Sequence, residues 1–198
     1  MAKFVQFSFF VTSLLFVVLG DAQEIDEINL IYRDNLAYDA RTDEVLNGKV
    51  TKKTDLGVVV ESRIYKDGLP DGKWQWYRES GVLAERGMYR GGLKDGVWEW
   101  FHEAGSLRKK GNFFEDKKEG TWEEVYEDGT LKKKGNFTDG QLDGLLQDFR
   151  DSGRLRQKGG YLAGEKDGEW EYFDRLGLLI RTETYINGEL IDCVGVCD

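Results

Sequence analysis

Histidine, proline, cysteine and methionine are nearly missing from this chain of 198 residues, which has one, one, two and two of them. The single histidine, His102, leaves serine or cysteine nucleophiles without their usual second partner. Its internal equivalents are Arg78, Tyr126, Arg150 and Asp174, so it reads as a variable, solvent-facing position beside a turn and not as a catalytic one. Two thiols without histidine partners make half a zinc site. Cys193 and Cys197 are therefore expected to form a short-loop disulfide, with no metal and no other cofactor. Positive charge is also short: the net charge is −9, which disfavours broad attraction to nucleic acid or to an anionic membrane.

Long apolar runs are lacking except at the start, where Phe4 to Leu19 is mostly apolar behind Lys3. That run is short of the ~20 residues needed to span a bilayer, and Gly20-Asp21-Ala22 supplies the small residues of a cleavage site. Residues 1–22 are expected to be a secretory signal, giving an exported protein that starts near Gln23 and has no transmembrane segment after cleavage.

Glycine is what the chain has in abundance, with 25 residues, and it falls in register. Stepping by 24 from Gly72 gives Gly96, Gly120, Gly144 and Gly168, each preceded by an acidic residue. Trp74, Trp98, Trp122, Leu146 and Trp170 follow two residues later. Gly81, Leu83 and Tyr89 open three more columns with the same step. A fixed period of this size marks a repeat architecture. Residues 23–46 read as a lead-in cap, 47–191 as about six copies with a degenerate first, and 192–198 as a tail carrying both cysteines.

Within a copy the pattern is strand, tight turn, strand. Glu79-Ser80-Gly81 and its equivalents fit a three-residue hairpin loop with a left-handed third position. A continuous register from that loop pairs Tyr77 with Leu83, and further out Glu99 with Lys109 and Glu123 with Lys133. It places Trp74, Trp98 and Trp122 opposite Arg86, Lys110 and Lys134. Parity then divides the sheet into one face of net −7, carrying the Tyr/Phe and Leu columns, and one of net +7, carrying the tryptophans. In this register, cationic stems separate the tryptophans.

The acidic row Asp71, Asp95, Glu119, Asp143 and Asp167 reads as turn chemistry, because a single-layer sheet offers no cleft for paired catalytic carboxyls. Two uses remain for the surface with Trp74, Trp98, Trp122, Trp170, Arg86, Lys110 and Lys134. Either those side chains pack on one another, or they hold an acidic glycan, a lipid headgroup or an acidic protein.

The sequence Asp-Gly-x-Trp-x-x-Tyr/Phe followed by Gly and Leu, as in Asp95-Gly96-Val97-Trp98-Glu99-Trp100-Phe101, resembles MORN repeats. More closely it looks like the variant repeats of bacterial YwqK-type "antitoxin component" proteins, over about residues 36–190. The resemblance implies an all-β, elongated single sheet of tandem hairpins that acts as a binding or scaffold module. Together with the export signal, it suggests a non-catalytic interaction module of the cell envelope with a protein partner. A ligand module for anionic polysaccharide or phospholipid is the alternative, and a YwqK-like antitoxin is a further one.

Overall fold

The computed structural model describes residues 24–197, so the expected signal segment and its cleavage site lie outside the described residues. The chain opens with β1 (Glu24–Asp26), a 3-10 turn (Glu27–Asn29), β2 (Leu30–Arg33), β3 (Leu36–Asp39), β4 (Glu44–Val45) and β5 (Gly48–Lys53). β1 runs parallel to β5, with Ile25 opposite Val50. β2, β3 and β4 form a small antiparallel sheet of their own. From β5 onward, consecutive antiparallel hairpins build one sheet that reaches Gly195 and counts 15 strands with β1 and a short flap at Leu93–Lys94. The expected sheet of tandem hairpins is thus the fold, with β1 of the lead-in added to its edge and β2 to β4 set apart in a second, three-stranded sheet.

Between the lead-in and the first copy lies a buried hydrophobic cluster: Ile25, Ala37 and Leu46 from the lead-in, Val50 and Tyr65 from β5 and the strand after it, with Leu30 against them. The small sheet is fastened to the first repeat through its backbone. Ala37 N donates to Gly68 O (2.8 Å) and Gly68 N to Leu46 O (2.9 Å). Beside it Glu27 accepts from Arg63 and from Lys52 (2.9 Å), so the buried guanidinium is paired.

Each repeat uses two turns for two reasons. At the loop end, Arg78 N donates to Val82 O (2.9 Å), and Gly81 sits at φ +82°, as its equivalents Gly105 to Gly177 do at 78–90°. At the other end, two-residue turns such as Asp67-Gly68 (φ 49° and 79°) and Asn187-Gly188 (49° and 82°) have both centres left-handed, matching the twist of the strands they join.

The expected register holds for the first pair and then fails. Tyr77 faces Leu83, and Phe101, Val125, Phe149 and Phe173 face Leu107, Leu131, Leu155 and Leu179. Beyond them a bulge inserts one residue, Ala84 or its equivalent, so that Trp76 faces Glu85 and Trp74 faces Gly87. Glu99 therefore pairs with Lys110 and Glu123 with Lys134, while Lys133 faces Glu124 on the other side. Because strand side chains alternate, this one-residue shift exchanges the faces of everything past the bulge. The tryptophan column shares one face with Tyr89, Phe113, Phe137, Tyr161 and Tyr185. Arg86, Lys110 and Lys134 lie on the opposite one. The division into acidic and basic faces disappears with the register that produced it, since each surface carries opposite charges in pairs.

A second irregularity sits between hairpins. Tyr65 faces Pro70 but Arg63 faces Trp74, so the Asp71-Gly72-Lys73 stretch bulges from the ladder and Gly72 reaches φ +122°. The Asp-Gly column is a mid-strand bulge, not a turn.

Candidate binding surface

The tryptophans are seated on glycine. A Cβ on Gly87 would come within 2.2 Å of the Trp98 ring, on Gly111 within 2.1 Å of Trp122, and on Gly159 within 2.2 Å of Trp170. Each ring lies against a neighbouring strand's bare backbone. Edge-on aromatics flank it: Tyr89 and Phe113 at Trp98 (5.1 and 6.0 Å), Phe113 and Phe137 at Trp122 (5.0 and 5.9 Å). The indole nitrogens of Trp98, Trp122 and Trp170 donate to the carbonyls of Met88, Asn112 and Gly160 at 3.0–3.1 Å. Lys94, Lys118 and Lys166 place their ammonium groups 3.9, 4.9 and 4.2 Å from those ring centroids. These rings are 1–4% exposed, the core of a sheet with little else to bury. In the fourth copy Leu142 and Leu146 replace lysine and tryptophan together, since the cation's site above the ring vanishes with the ring.

Trp74 differs because Arg63 occupies the position that is glycine in later copies. Its guanidinium lies 5.5 Å from the Trp74 ring, which is only partly buried. Of the expected ligand set, then, the four tryptophans share a face. Arg86, Lys110 and Lys134 do not join them: Arg86 bonds Glu99 (2.5 Å), and Lys110 and Lys134 both reach Glu123 (3.1 Å each). Cations do lie over the rings, as expected, but they are lysines of other columns. Equivalent tryptophans stay apart, yet Trp100 approaches Trp122 at 5.6 Å, a direct contact the straight register did not allow.

Two further columns have structural work. Asp71 accepts from Gly91 N (3.1 Å) and Glu119 from Asp139 N (3.1 Å), just as Asn47 accepts from Asp67 N (2.8 Å). Two members of the acidic row, Asp71 and Glu119, thus fasten two-residue turns, while Asp95 pairs with Arg90 (3.3 Å). No group of three metal-ligating side chains forms among the described residues. His102, expected in solvent, is half-buried and bonds the Val125 carbonyl (3.1 Å). Arg78, Tyr126 and Arg150 reach the carbonyls of Phe101, Phe149 and Phe173 at 2.8–2.9 Å, so the column clips each hairpin to the next.

Burial governs the titration of this face. It pushes Tyr89 up to about 12, with Glu85 adding to the effect. It also holds Lys109 below the ordinary lysine range, assisted by the Lys118 ammonium. On the other face the ammonium groups of Lys110 and Lys134 hold Glu123 below the usual carboxylate range.

Two surfaces are left that none of these structural roles consumes. One is a shallow groove of about 740 Å³ over the first two full copies, where Trp76 is 54% exposed beside Trp100; the sheet is not as featureless as a single layer suggests. The other is the C-terminal end. There the last strand, Glu189–Gly195, pairs on one side only, and Leu176, Leu178, Ile180, Val194 and Val196 are 42–72% exposed. Cys193 and Cys197 form a disulfide there, with Cα atoms 6.2 Å apart.

The family model described as "MORN repeat variant" matches residues 70–90, 94–115 and 118–139, each one hairpin with its loop. These are MORN-variant repeats. The copies at 142–162 and 166–186 repeat the same pairing and bulge, so the MORN geometry extends past the matched units. No curated protein matches the sequence. Among solved structures, the "Crystal Structure of TarM" is 11% identical over 51% of this chain and 19% of that one, with a TM-score of 0.33. A S. aureus TarM mutant in complex with fondaparinux, alpha-GlcNAc-glycerol and UDP gives 10%, 55%, 21% and 0.34. A GtfA/B complex bound to UDP and GlcNAc gives 13%, 64%, 22% and 0.23. This chain spans about a fifth of the length of each. No helix among the described residues is long and apolar enough to cross a membrane.

Proposed function

We propose that this MORN-repeat protein is an exported, non-catalytic scaffold of the cell envelope that holds a partner protein at the C-terminal end of its sheet. The supporting observation is the asymmetry of the ends. At the N-terminal edge the unpaired strand is only the three residues of β1, beside the small sheet and its buried cluster, whereas the last strand keeps a seven-residue unpaired backbone edge beside a patch of exposed apolar side chains. Repeat arrays need polar ends to remain soluble, and an open apolar edge is a template for an added strand. A partner's extended segment pairing there gains backbone hydrogen bonds along Glu189–Gly195 and covers Ile180, Val194 and Val196. Export rests on the apolar run Phe4 to Leu19 and the small residues after it.

The test is a photo-crosslinking residue at Val194, with Thr121 in mid-sheet as the control position, in the protein's own cells. The reading expects an adduct with a different polypeptide at Val194 and none at Thr121, lost when Ile180→Glu and Val196→Glu are combined. Adducts only with a second copy, or none, refute it. Fractionation of the same cells should find the chain outside the cytoplasm with an N-terminus near Gln23. An intact cytoplasmic chain refutes export.

A further inference from the structure

The groove over the first two full copies departs from the third and fourth; the fifth, with Tyr172 and Ile180 at the same positions, also lacks an ion pair there. In the third copy Glu124 bonds the bulge residue Lys132 (2.7 Å), and in the fourth Asp148 bonds Arg156. These two ion pairs close the sheet surface beside the hairpin loops. At the same positions the first copy has Trp76 and Ala84, and the second has Trp100 and Arg108. No ion pair can form in either. Instead there are two aromatic platforms and, because Ala84 is small, open space between them.

The platforms are regularly placed. Trp76 and Trp100 both face Glu85 from the two strands beside it, so they stand two strand spacings apart, about 9–10 Å. Trp76 makes no ring contact with another aromatic among the described residues and is 54% exposed, whereas Trp98, Trp122 and Trp170 are at most 4% exposed. A large ring left in water beside the close-packed tryptophans of the neighbouring column has no packing role that explains it.

Charge narrows the ligand. Of the carboxylates on the rim, Glu85 pairs with Lys94 (3.7 Å) and Glu103 with Arg78 (3.5 Å); Glu79 alone has no pair among the described residues. Of the cations, Lys52 is taken by Glu27 (2.9 Å), while Lys53 and Arg108 form no ion pair among the described residues. The surplus is positive, on a chain that is otherwise acidic.

We propose that this groove binds an acidic linear polysaccharide. Pyranose faces lie on Trp76 and Trp100, and the polymer's carboxylates, sulfates or phosphates meet Lys53 and Arg108. The gap between the platforms fits alternate rings of an extended sugar chain. The concave placement of the aromatics favours a polymer strand over a lipid surface, which wants protruding apolar side chains. The site is independent of the C-terminal edge, so either can fail alone.

The experiment is affinity electrophoresis and calorimetry of the whole protein with polygalacturonate, with dextran as the neutral polymer. Anionic phosphatidylglycerol vesicles and a single-stranded oligonucleotide serve as the competing classes. Binding to polygalacturonate and not to dextran is expected. It should weaken roughly tenfold in Trp76→Ala, the scale of one lost aromatic contact, and partly return in Trp76→Phe. Arg108→Gln should reduce both affinity and its salt dependence. Lys110→Gln with Lys134→Gln, on the opposite face, should leave the affinity within about twofold, far short of the Trp76→Ala loss. An exposed Trp76 allows its variants to fold, and their circular dichroism checks that they have. Absence of binding, equal binding to dextran, preference for vesicles or oligonucleotide, or indifference to Trp76→Ala each overturns the proposal.

Discussion

Replacing Gly111 by alanine tests the central packing claim, that the strand-interior glycines exist to seat tryptophan. The added Cβ would lie 2.1 Å from Trp122 Cδ2 and 2.5 Å from Cγ, so the ring must retreat by about 1 Å or more to reach ordinary carbon contact. It is held by the bond to Asn112 O (3.1 Å), by Phe113 and by Lys118, and cannot slide without loss. Overpacking of this kind costs about 1–3 kcal/mol and the strained hydrogen bond about 0.5–1.5, against about 0.4–1 gained from a stiffer unfolded chain. The net is about 2 kcal/mol of destabilisation. Gly135→Ala is the contrast, because its Cβ meets only the movable methyls of Leu146 (2.8 Å) and Leu142 (3.1 Å); its effect should stay within about 1 kcal/mol of zero. Urea unfolding followed by circular dichroism measures both, and the pair Gly111→Ala with Trp122→Leu closes the cycle. A coupling above about 1 kcal/mol is expected, with alanine tolerated once the indole is gone. If Gly111→Ala is neutral, or costs the same in the leucine background, the seat does not exist.

Other consequences follow from single contacts. His102→Ala should lose about 0.5–1.5 kcal/mol with the bond to Val125 O, and His102→Arg should restore it, since Arg78 and Arg150 make the same clip. Ala163 holds φ +48° in a turn where the last copy uses Asn187, so Ala163→Asn should raise the urea midpoint by an equivalent of about 0.5–1 kcal/mol. Glu123 is held below the usual carboxylate range by Lys110 and Lys134. Its stabilisation is therefore complete above the unfolded-state value and is lost as pH falls through the lower folded one. Replacing both lysines by glutamine should flatten that acid limb of the stability curve.

The period, the hairpin loops and their left-handed glycines were open to reading because each repeats with a residue type that physics demands. The bulge was not, because its extra residue is Ala84, Arg108, Lys132, Arg156 or Ile180, with no shared chemistry. A register carried straight through it gives plausible ion pairs at every step, since lysines occupy successive positions in Arg108-Lys109-Lys110 and Lys132-Lys133-Lys134. The signal that fixes the faces was the column Gly87, Gly111, Gly135 and Gly159: glycine inside a strand marks a close approach, and only the indoles are large and regular enough to make it. The groove was half visible, as the exchange of Glu124–Lys132 and Asp148–Arg156 for Trp76–Ala84 and Trp100–Arg108, but without the bulge Arg86, and not Glu85, stands on the surface of the two rings.

Repeats supply their own control for separating necessity from use. The clip column accepts Arg, His or Tyr because any side-chain donor reaching the next carbonyl suffices, and the tryptophan seat accepts leucine when its lysine changes too. At the Trp76 position the chemistry changes kind, from a closed ion pair to an exposed ring. If the array needs only what the third copy has there, Trp76→Glu with Ala84→Lys should rebuild the Glu124–Lys132 arrangement in the first copy. The double variant should then unfold within about 1 kcal/mol of the parent, the scale of an exposed pair gained and a half-exposed ring lost. It should lose polygalacturonate binding all the same. A loss of several kcal/mol would instead mean that Trp76 holds the first hairpins together, and the exposed ring would be part of the packing.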